Sequence, residues 1–174
     1  SEKDFIVNNI ENVGWFIARA EKQINQPDFS KVIRQALVEF HTLIDKQSAE
    51  TPYGIPYRPY IWGAGWDIQS LGFRLYFLHT AYPDIFGKDY IYDALNFVLG
   101  CHPGENTSSF ASGVGTRSTT VAYGFNRADW TYIPGGVVSG TALIRPDFPE
   151  LLRFPFLWQQ VEYVMGGGSS HYMF

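Results

Sequence analysis

Asp28-Phe29-Ser30-Lys31-Val32-Ile33-Arg34-Gln35-Ala36-Leu37-Val38-Glu39-Phe40-His41-Thr42-Leu43-Ile44 repeats its apolar residues with the period of an α-helix. Val32, Ile33, Ala36, Leu37, Phe40, Leu43 and Ile44 form one stripe, at the steps of three and four that a helical turn brings to one side. Asp28 or Ser30 can start this helix, and the polar run from Asp45 to Glu50 ends it. Glu39 and His41 fall beside or opposite the stripe, which gives them solvated or hydrogen-bonded roles. Upstream, Ile6, Ile10, Val13, Ile17 and Ala20 make a matching face. Asp4 can cap that first helix, and Gln26-Pro27 closes it, because the residue before proline avoids helical geometry. The pair predicts an antiparallel hairpin.

Working outward from that hairpin, Pro52, Gly54, Pro56 and Pro59 alternate with Tyr53, Tyr57 and Tyr60, a pattern that breaks both helix and central strand. Trp62-Gly63-Ala64-Gly65-Trp66-Asp67 then opens a third helix. Ile68, Leu71, Leu75 and Leu78 supply its inner face, widened by Phe73, Tyr76 and Phe77, and Tyr82-Pro83-Asp84 stops it. A fourth helix begins near Lys88-Asp89, turns Ile91, Ala94, Leu95 and Val98 inward, and ends at Gly100, the residue type best suited to a left-handed cap. This is a second hairpin, and the fold class is all-α.

From Cys101 to Pro149 helical periods are few, while Phe110, Val114, Val121, Tyr123, Phe125, Trp130, Tyr132, Ile133, Val137 and Val138 make the segment too apolar for a disordered linker. Loops beyond about 15 residues are usually functional or disordered. An ordered, functional loop is the expectation.

Composition narrows the function. The 174 residues suit one domain. The net charge of -4 and the lack of a basic cluster argue against nucleic acid. The single Cys101 excludes an internal disulfide and a cysteine-rich zinc site, and His41, His79, His102 and His171 share no ligand spacing. Structural or hydrogen-bonding roles suit all four histidines. No apolar run reaches the roughly 18 residues of a membrane span, and Ser1-Glu2-Lys3-Asp4 is not a signal peptide. Neither a Gly-x-Ser-x-Gly elbow nor a cysteine nucleophile is evident, and Gly113-Val114-Gly115 and the triplet Gly166-Gly167-Gly168 lack the context of a phosphate loop.

Aromatic residues reach 17%, against charged residues at 17% where about a quarter is usual. Rings on loops over a helical scaffold suit sugars, whose apolar faces stack on Trp and Tyr while their hydroxyls meet Asp, Glu, Asn, Arg and His. Trp62, Trp66, Trp130, Tyr60 and Tyr123 are the loop-placed rings, with Asp67, His102, Asn126, Arg127 and Asp129 as polar neighbours. Packing between loop and helix is an equal alternative for each ring. Near the end, Phe154-Pro155-Phe156-Leu157-Trp158-Gln159-Gln160-Val161-Glu162-Tyr163-Val164-Met165 sets one carboxylate among apolar residues. Desolvation there favours the protonated form, as a general acid requires. On this stretch alone, an ion pair with an arginine or a cap on a short final helix is the better reading of Glu162.

Four segments, in order, resemble glycoside hydrolase family nine. They are Ile61-Trp62-Gly63-Ala64-Gly65-Trp66-Asp67 opening a helix, Asp93-Ala94-Leu95-Asn96-Phe97-Val98-Leu99-Gly100-Cys101-His102-Pro103 closing the next, the Ser109-Phe110-Ala111-Ser112-Gly113-Val114-Gly115 turn, and Ile133-Pro134-Gly135-Gly136-Val137-Val138-Ser139-Gly140. The resemblance implies a toroid of six helical hairpins, (α/α)6, with long ordered loops, of which residues 1–174 are the C-terminal portion of a single catalytic domain. It places Glu162 where the family's closing segment carries the general acid, and Arg127, Trp66, Trp130, Tyr123, Trp62 and His102 around the sugar. The implied reaction is inverting hydrolysis of β-linked glucan-type substrates, endoglucanase-like, with no cofactor. Structural calcium occurs in the family, but no site for it is identifiable here. The aspartate base belongs to the domain's missing N-terminal half, so these residues alone are expected to be inactive. The expected partner is carbohydrate, not nucleic acid or membrane, and the expected location of the full-length protein is periplasmic or secreted.

Phe125-Asn126-Arg127 stands where many endoglucanases of the family have His-His-Arg, Val161 where asparagine precedes the acid, and His102 where asparagine precedes proline. These departures leave two alternatives: an exo-acting β-glucosidase or β-glucosaminidase of the same family, or a non-catalytic sugar-binding relative.

Overall fold

A computed structural model of the chain describes residues 2–50, 53–56, 64–103, 109–116, 118, 134–137 and 173. They form four helices, α1 (Glu2–Ile24), α2 (Pro27–Ala49), α3 (Ala64–Ala81) and α4 (Asp89–Val98), and two isolated β-bridges. The described chain is therefore mostly helical, as its periodicity predicts. No described helix is long and apolar enough to cross a membrane.

The first connection is short because each of its residues has a defined task. Asn25 takes a left-handed φ of 48°, and its N–H reaches back 2.9 Å to the Glu21 carbonyl. Asparagine is among the few side chains that adopt this conformation readily. Pro27 then occupies the first turn of α2, where its missing N–H leaves no bond unmade. The helix thus starts ahead of Asp28. It also runs through the polar residues after Asp45 to Ala49, since polarity alone does not stop a helix that keeps its buried face.

α2 packs along α1, α4 along α3, and α1 against α3. Gly14 of α1 meets Leu78 of α3, Trp15 meets Phe77, and the Tyr82 hydroxyl donates to Glu21 at 2.5 Å. Position numbers rise together along both helices, so α1 and α3 run parallel. The layout is two consecutive hairpins whose first helices lie side by side.

One core fills the space between α1, α2 and α3, with Ile10, Ile33, Leu37, Phe40, Ile44, Leu71, Leu75 and Leu78 all buried. Each such side chain contributes about 1.5–3 kcal/mol relative to exposure. Two glycines allow the helices their close approach. A Cβ on Gly14 would lie 2.6 Å from Leu78 Cδ2, and one on Gly72 would lie 2.8 Å from Ala94 Cβ. On α1 the buried ridge is Ile10, Gly14 and Ala18, while Val13, Ile17 and Ala20 are only half-buried. On α4 the sequence places Leu95 inward, but it is 39% exposed, and Phe97 is fully buried instead. Seating Ala94 against Gly72 turns α4 so that Phe97, not Leu95, shares the inner arc.

Polar latches tie α2 to the α3–α4 connection and to the first turn of α4. Arg34 pairs with Asp84, and the guanidinium holds that carboxyl below its usual range. Tyr90 donates to Asp45, and His41 Nδ1 lies 3.2 Å from Asp45 Oδ2. His79 Nδ1–H donates to the Phe86 carbonyl at 2.7 Å. His41 and His79 thus have the hydrogen-bonding roles expected of them.

Candidate functional site

α4 ends in a motif that aims the chain at the site. Gly100, at φ 72°, lets its own N–H bond the Phe97 carbonyl at 3.1 Å while the Cys101 N–H bonds the Asn96 carbonyl at 2.7 Å. That crossed pair is the Schellman arrangement, and glycine supplies the left-handed residue it needs. The next residue, His102, is delivered onto an aromatic cluster. Its ring meets Tyr53 edge-on at 4.4 Å and 79°, and lies over Phe97 at 5.5 Å and 26°. Tyr53 and Phe97 are themselves in edge contact at 4.9 Å, and Phe97 stacks on Phe110 at 5.4 Å. Such geometries follow from the quadrupole of the rings.

Phe110 belongs to the Ser109–Gly115 turn, which is fastened on three sides. The Phe110 N–H donates to the Val98 carbonyl at 2.8 Å, the Ser112 N–H to Gly136 at 3.0 Å, and the Gly135 N–H to Ser112 at 2.7 Å. Within the turn, the Ala111 N–H donates to Ser109 Oγ at 3.1 Å, and the Gly113 N–H to Ser118 Oγ at 3.0 Å. Ser109, Phe110, Ala111, Ser112 and Val137 are buried. Where it is described, the long irregular segment is therefore ordered and bonded to the helical layer.

Trp66 approaches the same cluster from the first turn of α3. It is half-buried, packs against the core around Phe97, Phe110 and Val137, and donates from Nε1 to the Val137 carbonyl at 3.2 Å. That bond fixes the indole plane and uses its polar edge within the protein. Of the residues singled out in the sequence, Trp66 and His102 are thus brought to one cluster. Glu162, Arg127, Trp130, Tyr123 and Trp62 lie outside the described residues, as do Tyr60, Asn126 and Asp129.

One residue that the sequence did not mark joins the ring cluster, and a second stands out on α3 by its burial. Tyr53, one of several tyrosines between prolines, is 1% exposed and packs edge-on against both Phe97 and His102. Gln69, three residues after Trp66 on α3, is also buried, and its amide nitrogen and oxygen find no hydrogen-bond partner among the described residues. A buried amide has two donors and an acceptor to satisfy, and leaving them unmade costs about 1–3 kcal/mol. It lies one helical turn before Gly72, the residue that meets Ala94 of α4.

Tyr53, Phe97 and Phe110 are buried, so the ring faces left to a ligand are those of the half-buried Trp66 and His102, an indole and an imidazole. Among the described residues no group of three or more His, Cys, Asp or Glu is placed to hold a metal ion. No protein-family model, no curated protein and no solved structure matches the chain.

Proposed function

We propose that this chain is the C-terminal portion of an inverting glycoside hydrolase, built as an (α/α)6 toroid and acting on β-linked glucan-type poly- or oligosaccharides. The observation that carries the proposal is the meeting of its four family-like segments. The helix start at Trp66, the α4 terminus at His102, the Ser109–Gly115 turn and the Gly135–Val137 turn are far apart in sequence, yet they share one core and bond to one another. Parallel α1 and α3, each with an antiparallel partner, also suit two successive hairpins of such a toroid.

In this reading Glu162 protonates the departing glycosidic oxygen. An aspartate from the domain's N-terminal half activates water on the opposite face of the sugar, with the two carboxyls roughly 6.5–9.5 Å apart. Trp66 and His102 border the sugar site, joined by Trp62, Tyr123, Arg127 and Trp130. Phe125 and Asn126 in place of two histidines, together with Val161, favour an exo-acting enzyme that removes glucose or glucosamine as the second reading.

The test is Glu162→Gln in the full-length protein. The variant loses turnover on natural oligosaccharides and keeps most activity on aryl glycosides whose leaving group needs no proton. Equal turnover by variant and parent on the natural substrate would overturn the assignment.

A further inference from the structure

At the far end of α3, about 22 Å from Trp66 at 1.5 Å per residue, a groove of about 270 Å³ opens between α1 and α3. Trp15 and Phe77 lie side by side along it, ring centroids 5.9 Å apart and tilted by 31°. Arg19 and Lys22 stand on its α1 side, one helical turn apart, and Thr80 on its α3 side. Neither cation forms an ion pair among the described residues, and the neighbouring acid, Glu21, is engaged by the Tyr82 hydroxyl. Thr80 donates to the Tyr76 carbonyl at 2.9 Å, so its oxygen keeps acceptor capacity.

An apolar ring floor beside two unpaired cations, in a chain of net charge -4, selects a compact anion with an apolar face. The volume falls just under the range of about 300–1,000 Å³ typical of drug-sized ligands, which limits the occupant to one ring. The groove is open to solvent, so the outer face of that ring stays wet, as sugar hydroxyls prefer. We propose that this groove binds a hexuronate, stacking the sugar's C–H face on Trp15 and Phe77, holding its carboxylate between Arg19 and Lys22, and offering Thr80 to a hydroxyl. The proposal does not depend on the glycosidase reading, since the groove lies at the opposite end of the helices from Trp66 and His102.

The experiment titrates the protein with glucuronate, glucose and benzoate, following tryptophan fluorescence, with Trp15→Phe to assign the signal. Saturable binding of glucuronate near millimolar concentration is expected, at least tenfold tighter than glucose. The double variant R19Q/K22Q weakens glucuronate binding at least tenfold without changing the melting curve, and 0.5 M salt weakens it in the parent protein. Equal response to glucose and glucuronate, or no effect of both R19Q/K22Q and salt, would overturn the proposal. Tighter binding of benzoate than of glucuronate would also overturn it, in favour of an aryl carboxylate site. Glu162→Gln leaves the Trp15-dependent glucuronate signal unchanged, so the outcome here is separate from that of the catalytic test.

Discussion

Replacing Gly72 with alanine tests the packing that holds the second hairpin together. The new Cβ would stand 2.8 Å from Ala94 Cβ, where ordinary contact begins at 3.4 Å. Ala94 Cβ is fixed to its backbone and cannot rotate away, so α3 and α4 must part. Overpacking of this kind costs about 1–3 kcal/mol, and alanine returns about 1 kcal/mol of helix propensity over glycine. The net effect is a destabilisation of about 1 kcal/mol, or roughly 2–4 °C in melting temperature for a domain of this size. Ala94→Gly alone is destabilising by about 1–2 kcal/mol, through propensity and the lost methyl. In the double variant the clash disappears. Thermal or urea unfolding of the four proteins should therefore give a coupling of at least 1 kcal/mol in favour of the pair. Effects that add to within about 0.5 kcal/mol would refute the close contact.

Tyr82 and Tyr90 are held protonated above the usual tyrosine value, first by burial and then by hydrogen bonds to Glu21 and Asp45, with Tyr90 pushed up to about 12. Their contribution is fully present below pH 10 and is lost as pH rises through the folded values; for Tyr90 it is about 1 kcal/mol once solvent screening of this partly exposed group is allowed for. The melting temperature should fall between pH 10 and 12, and the Y82F/Y90F variant should lose most of that slope; an unchanged slope would contradict the latches. Burial, and then Asp89, raise the Asp93 carboxyl above its usual value, so its ionised form weakens the fold and the penalty lifts as pH falls through the folded value. Asp93→Asn should raise the melting temperature at pH 7 and give no gain at pH 3. Trp66→Phe keeps the ring but leaves the buried Val137 carbonyl without its donor, a loss of about 1–2 kcal/mol visible in urea unfolding.

The sequence was most informative where one residue type has few conformational uses. Gly100 marked the end of α4, and the period of Ile33, Ala36, Leu37, Phe40 and Ile44 marked a buried helical face that the structure bears out. Small residues at Gly14 and Gly72 carried no such signal, because a glycine that admits a neighbouring helix looks the same in sequence as one that merely weakens its own. Leu95 and Phe97 show the same limit. Periodicity allows either inside, and the seating of Ala94 on Gly72 decides. In the site, Trp66 and His102 were visible as aromatic and polar residues flanking glycines and a proline. Tyr53 was hidden among turn-forming residues, and Gln69 lay inside a helix whose apolar period gave no reason to single out one amide.

The anomeric configuration of the first product distinguishes the proposed hydrolysis by two opposed carboxylates, with Glu162 as acid, from a double displacement. Proton NMR of the full-length protein acting on a β-linked gluco-oligosaccharide should show the α-anomer appearing first and the β-anomer only later, by mutarotation. Initial release of the β-anomer, or no release of sugar at all, would contradict the account.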